Sequence, residues 1–226
     1  MINKRYKDLI QQYFHRGEST PLTLGTLVVC AVCFFVLIVA VFSRITFYHP
    51  WFSYDSTLGF NSYIKEVLYS PQLPALFFMI YILGRNFSLF VFIVYLIVGL
   101  FFFPVFTFGG GTDYFQTYFF GYLIGDLFAI ILSGNVLKKS IGIKSRMLAI
   151  LVGVFCVHIV GFIYCIFLAI FKVIDFSLIL PIFSVLSLSK IMYDLVFCAL
   201  IYLVAPYIKN VFWICMQPLF RIKKQK

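Results

Sequence analysis

Charge is what this sequence lacks most. Only 12% of its residues are charged and 8 are acidic, against roughly 25% charged in soluble domains. A soluble domain of this size needs polar surface to cover its core, and here 63% of residues are hydrophobic. Lipid is the solvent such a surface calls for. Long polar stretches are missing too. A helix needs about 20 apolar residues to cross the hydrocarbon core, so the chain holds about six crossings and short connections. That excludes a fused ATPase or kinase. No GxSxG, no HExxH, no Ser–Lys elbow and no pair of acids suited to acid–base work occurs.

Metal and redox chemistry are equally unsupported. The 6 cysteines all lie in or beside apolar runs, where free Cys behaves as a small hydrophobe. Cys30 and Cys33 have CxxC spacing but apolar neighbours and no second pair. His158 has no second His or acid at ligand spacing, so no metal site and no cofactor is expected. The net charge of +10 does not point to nucleic acid, because the basic residues sit in short segments between apolar runs, as membrane topology requires.

What is present is a series of uncharged apolar runs. The first span covers roughly 22–42, and it exceeds a signal-peptide h-region and lacks a small-x-small cleavage site, so an uncleaved helix is expected. A polar, aromatic segment follows over 44–70, left without an assigned structure. The second span starts near Pro71 to Pro74, where Pro suits a first helical turn, and runs to about Ile82. Gly84-Arg85-Asn86 turns the chain into a third span over 87–103. Pro104 and Gly109-Gly110-Gly111 end it. The fourth span runs over 115–132 and the fifth over 147–171. Residues 172–189 read as a loop with room for a re-entrant turn, before a sixth span over 190–208. The expected fold class is therefore all-α, an integral membrane bundle of six transmembrane helices. It occupies 22–213, between basic tails at 1–21 and 214–226.

Most of the 18 Lys and Arg fall in the two tails, the turn at Arg85 and the loop holding Lys138, Lys139, Lys144 and Arg146. The other loops carry Arg44, Lys65, Lys172 and Lys190. The positive-inside rule places both termini in the cytoplasm. The outer loops are then the aromatic ones with Pro and Gly breaks. Irregular backbone at membrane depth is tolerated where it lines a cavity, so a ligand site is expected toward the outer face.

Asp194 stands near the start of the sixth span. An acid at the bilayer centre costs about 2.5–3.5 kcal/mol on insertion scales, so such residues usually carry a function. Lys190 lies four residues earlier, which allows an internal ion pair. The other reading is an acceptor for a ligand's N–H groups. Asp126, in the fourth span, reads as an interhelical hydrogen bond or a protonated carboxyl rather than a ligand contact. Gly109, Gly110 and Gly111 permit positive φ and close backbone approach, but no GK[ST] follows and they are no phosphate loop. His158, Gly161 and Tyr164 share a face of the fifth span and suit interhelical packing and hydrogen bonds.

These pieces occur together in one family. Pro71-Gln72-x-Pro74, Gly84-Arg85, Tyr95, Gly99, Pro104-Val105-Phe106, the glycine triplet and Gly121-Tyr122-Leu123-x-Gly125 resemble the BioY family, the biotin-binding subunits of energy-coupling-factor transporters. His158-x-x-Gly161-x-x-Tyr164 and the region from Asp194 to Pro206 are similar to its cyanobacterial-type members. The resemblance implies a six-helix subunit of the plasma membrane that is not itself an enzyme. It implies biotin captured near the outer face and docking on a membrane scaffold with two ATPase subunits. Asp194 would accept from the ureido N–H groups, with Lys190 as partner of its carboxylate. Gly109 to Gly111, Tyr114, Tyr118 and Tyr122 would shape the wall, and Gln72 would add a polar contact. There are departures: Phe197 stands where many members have Lys, Tyr118-Phe119-Phe120 replaces a Gly-Pro-Thr-Gly, and the first span lacks an Ala-x-x-x-Ala face. The alternatives are a related subunit for another vitamin-like ligand and, in a different class, a lipid-modifying membrane enzyme.

Overall fold

The computed structural model describes residues 22–50, 64–140 and 142–216. The two basic tails, apart from the last residues before 217, and residues 51–63 of the polar segment lie outside these. The first helix, α1 (Leu24–Phe42), is a continuous apolar run. Thr23 caps it, its Oγ1 accepting from the Thr26 amide at 3.1 Å. Val29, Cys33, Leu37 and Val41, at helical spacing, are buried, while Val28, Phe35, Val39 and Phe42 on the other side are exposed. An apolar face exposed beside an apolar face buried is what a lipid-facing helix requires.

The segment that follows forms an antiparallel hairpin of β1 (Ile45–Pro50) and β2 (Ile64–Tyr69), with Ile45 opposite Tyr69 and Tyr48 opposite Glu66. Its alternation is regular at the described end: Val67 and Tyr69 are buried, Glu66 and Leu68 exposed. This hairpin is the one β-sheet among the described residues, beside a single isolated bridge between Phe106 and Gly109, set on an otherwise helical bundle.

Next comes α2 (Gln72–Phe101), which is two arms rather than one rod. Gly84 interrupts it with φ 74° and ψ 176°, a region only glycine adopts easily. Ser88 Oγ donates to the Met79 carbonyl at 3.0 Å. Nine residues of straight helix would put those groups about 13 Å apart along the axis, so the second arm folds back on the first. The break falls where Gly84-Arg85-Asn86 predicts it. Beyond Phe101 the chain turns through a loop and a 3₁₀ turn (Thr112–Gln116) into α3 (Tyr118–Lys139). Then follow α4 (Ile143–Ile170), the short α5 (Ile179–Phe183), a π turn (Ser184–Leu188) and α6 (Ile191–Met216). The loop expected over 172–189 is thus partly helical.

Small residues bring α3 and α4 together. A Cβ on Gly125 would meet the Val157 backbone at 2.8 Å, and one on Gly161 would meet the Tyr122 ring at 2.6 Å. At one end of the bundle polar ties join the basic turns to neighbouring helices. Arg85 Nη1 donates to Asn135 Oδ1 at 2.6 Å, Arg146 Nη1 to the Tyr202 carbonyl at 2.7 Å and Lys209 Nζ to the Tyr81 carbonyl at 3.0 Å. Thr23 Oγ1 donates to the Met216 carbonyl at 2.9 Å, so the chain enters α1 and leaves α6 at the same end. Among the described residues, five helical stretches are long and apolar enough to cross a membrane, with α2 counted once. The protein is a multi-pass, mainly helical membrane protein.

Candidate functional site

At the opposite end, the hairpin, the 102–117 loop, the π turn and the beginning of α6 line two adjoining cavities. The outer one is about 480 Å³ and mainly apolar, lined by Val67, Leu68, Phe108, Phe119, Pro181 and Val185, with Arg44, Glu66 and Lys190 on it. The inner one is about 120 Å³, with more polar side chains among its lining residues. Ser70, Thr107, Phe108, Phe119, Leu186 and Lys190 line both, so the two cavities adjoin at these residues.

Asp194, in the first turn of α6, is the centre of the inner cavity and is 6% exposed. Tyr69 donates to its Oδ1 at 2.9 Å, and His158 Nε2 lies 3.2 Å from its Oδ2. Burial, with this carboxylate beside it, raises the Tyr69 phenol well above its ordinary range, so it stays protonated and donates. An ionised Asp194 requires a proton on His158 Nε2 to fill the second contact. His158 Nδ1, also buried, then has no partner. Three separate elements therefore orient one carboxylate: β2, α4 and α6.

Lys190 makes no ion-pair contact with Asp194 within 4 Å, although the two line the same inner cavity. It lies in the turn that leads into α6, its carbonyl accepting from the Asp194 amide at 2.9 Å, and among the described residues no acid stands within 4 Å of its ammonium. It faces the cavity instead. Phe197, where many BioY members have Lys, stacks on the Tyr69 ring with centroids 5.3 Å apart. Phe47 stacks on Tyr193 at 4.6 Å. This four-ring cluster fixes the hairpin to α6 and so places the Tyr69 hydroxyl.

A second carboxylate shares the cavity. Asp126 is 3% exposed, and its Oδ2 accepts from Gln72 Nε2 at 2.7 Å. The bond is interhelical, as the sequence suggests, but Asp126 also lines the space that Asp194 lines. Tyr114 and Tyr122 complete that wall, and Tyr122 shares a hydrogen bond of 2.8 Å with Ser187 of the π turn.

Tyr118 lines the outer cavity. Gly109, Gly110 and Gly111 line neither cavity and stand behind the wall. Gly109 and Gly111 have φ of 122° and 90°. A Cβ on Gly110 would meet the Gly99 carbonyl at 2.5 Å, and the Gly111 amide donates to that carbonyl at 2.9 Å. The triplet thus presses the loop against the second arm of α2. Phe106 is buried there, and Tyr95 Oη donates to the Val105 carbonyl at 3.2 Å. Thr107 and Phe108, at the loop's tip, reach the cavity. Sequence reasoning misses Tyr69, Thr107 and Phe108. Tyr69 sits in a segment given no structure, and nothing marks a Thr-Phe pair as a loop tip.

The arrangement offers two buried acceptors at the base, an apolar antechamber above them and cations on the wall. It suits a small, part-apolar ligand with N–H donors at one end. No curated protein matches the sequence. Among solved structures, the "S-component for biotin from an ECF-type ABC transporter" at 2.1 Å is similar, with a TM-score of 0.60 and 20% identity over 87% of this chain and 100% of that one. The likeness is one of fold. The family model for BioY matches residues 15–213, a range that takes in the hairpin, all the apolar helices down to Phe212 and every residue of the cavity. The chain belongs to the BioY family.

Proposed function

We propose that this protein captures biotin at the outer face of the plasma membrane and hands it to an energy-coupling module for uptake. Family membership supports the reading, as does a fold shared with a biotin S-component. The observation that carries it is the Asp194 carboxylate, buried at the base of a cavity and held by Tyr69 and His158. Each carboxylate oxygen has two lone-pair positions. Tyr69 and His158 take one on each oxygen, leaving acceptors for the two N–H groups of a ureido ring. Asp126 and Gln72 stand beside them, and the bicycle would lie against Tyr114, Tyr122 and Phe119.

In this reading the two arms of α2 each cross the bilayer, giving six crossings. Both termini lie in the cytoplasm, which puts the basic turns inside and the hairpin outside. The partners are a membrane scaffold and two ATPase subunits, and ATP hydrolysis belongs to them. The test is equilibrium binding of radiolabelled biotin to the purified full chain in lipid nanodiscs. Saturation near one biotin per chain, displaced by unlabelled biotin but not by thiamine or riboflavin, is expected. Absence of saturable binding, or equal displacement by those vitamins, overturns it.

A further inference from the structure

Two acids face one small space. Asp126 of α3 and Asp194 of α6 both line the inner cavity of about 120 Å³, and they are 3% and 6% exposed. Their surroundings differ. Asp194 has a donor on each oxygen, the Tyr69 hydroxyl and His158 Nε2. Asp126 has one donor among the described residues, the neutral amide of Gln72 on Oδ2, and no cation among them stands within 4 Å of it. Its Oδ1 carries no hydrogen bond from them. The titratable groups around it supply little positive charge. Tyr69, Tyr114 and Tyr122 share the cavity, and Tyr95 of α2, Cys156 of α4 and Cys198 of α6 stand near Asp126. Phenols and thiols are mainly neutral at pH 7. Among the described residues Lys190 is the one lysine or arginine lining the inner cavity.

One cation offsets one carboxylate in that space, and Asp194, with two donors, is the acid equipped to keep its charge. A second buried acid, on a single neutral donor and beside the first, is costly to ionise and takes up a proton instead. We infer that Asp126 is a neutral carboxyl that donates from Oδ1 to the carbonyl oxygen of the ligand's ring. The inference rests on the biotin reading and gives the ring oxygen its donor. A ureido ring presents two N–H groups and one acceptor, and a buried acceptor left without a donor weakens binding. Asp194 accepts from the N–H side, and Asp126 serves the oxygen. The pair thereby selects a neutral ring. Two ionised acids would suit a guanidinium instead, with its positive charge and an N–H group where the oxygen stands.

The test compares biotin with 2-iminobiotin, which keeps the bicycle and the tail but carries a guanidinium ring at neutral pH, on the purified full chain. Wild type should bind biotin about ten- to a hundredfold more tightly than iminobiotin, the effect of one buried donor–acceptor mismatch. Asp126→Asn, a neutral isostere with an N–H donor, should keep most of that preference. Asp126→Leu should lose most of it and bind biotin about tenfold less tightly than Asp126→Asn does. Infrared spectroscopy of the ligand-free chain, in a maltoside detergent that has no carbonyl group, reads the proton directly. Wild type at neutral pH should show the C=O band of a protonated carboxyl, and Asp126→Asn should lack it. Iminobiotin bound by wild type as tightly as biotin, or no such band, overturns the neutral donor and leaves the biotin reading standing. Equal affinity of Asp126→Asn and Asp126→Leu for biotin does the same. Failure of wild type to bind either ligand overturns the biotin reading and the donor's role with it.

Discussion

Tyr69 Oη stands 2.9 Å from Asp194 Oδ1, a bond that joins the outer hairpin to the head of α6 across 125 residues of sequence. Neither group has access to water to replace the other: the phenol is 1% exposed and the acid 6%. The bond therefore sets both the hairpin's position and the direction in which the carboxylate faces the cavity.

Tyr69→Phe keeps the ring that stacks on Phe197 and removes only this donor. A hydrogen bond to a charged group contributes about 1.5–3 kcal/mol, so biotin affinity should fall about ten- to a hundredfold through loss of carboxylate orientation. Helical content should not change. Titration calorimetry on the variant checks this, and an unchanged dissociation constant would mean that the hydroxyl has no part in binding.

Asp194→Ala should do more. It leaves the Tyr69 hydroxyl and His158 Nε2 facing each other with no acceptor between them. Each buried polar group left unsatisfied costs about 1–3 kcal/mol. Loss of measurable binding is expected, together with a lower thermal midpoint in detergent. Adding His158→Leu and Tyr69→Phe to Asp194→Ala should recover part of the midpoint without recovering binding. A triple variant no more stable than the single one counts against this cluster.

The special status of Asp194 is legible in the sequence because an acid in an apolar run is rare and expensive. Its partners are not. Helical spacing nominates Lys190, four residues back, but Lys190 sits in the turn before Ile191 and lines both cavities without a contact to Asp194 within 4 Å. Tyr69 belongs to a strand whose neighbours give no long alternating pattern, so its burial is settled by the aromatic contacts with Tyr193 and Phe197. The helices themselves are plain from hydropathy, and Gly84 marks the fold-back because polar Arg85 and Asn86 follow it in the middle of an otherwise apolar run. The glycine triplet reads as a place where backbone can approach a ligand closely; in the structure the close approach is to the backbone at Gly99, behind the wall.

Gly84→Ala isolates the fold-back. Space is not the difficulty, since a Cβ there meets nothing within 4 Å. The backbone is, because φ 74° with ψ 176° is glycine territory and costs another residue about 1–3 kcal/mol. The thermal midpoint should drop, and binding to the folded fraction should stay at wild-type affinity, the turn being at the far end from the cavity. A midpoint equal to wild type would show that the two arms can meet by another turn.

Gly99→Ala separates the wall from its support. Its Cβ would fall 2.2 Å from Cζ of Phe106, a ring that is 1% exposed. The ring must move, and with it the loop whose tip carries Thr107 and Phe108 into the cavity. The Gly111 amide, bonded to the Gly99 carbonyl, moves with the same segment. Over-packing of this kind costs about 1–3 kcal/mol, and part of that cost should appear as weaker binding although residue 99 lines neither cavity. Phe106→Leu makes room for the methyl, so the double variant Gly99→Ala/Phe106→Leu should bind more tightly than Gly99→Ala alone. Calorimetry on the single and double variants checks the coupling. Simple addition of the two single effects would mean that the loop reaches its place without leaning on Gly99.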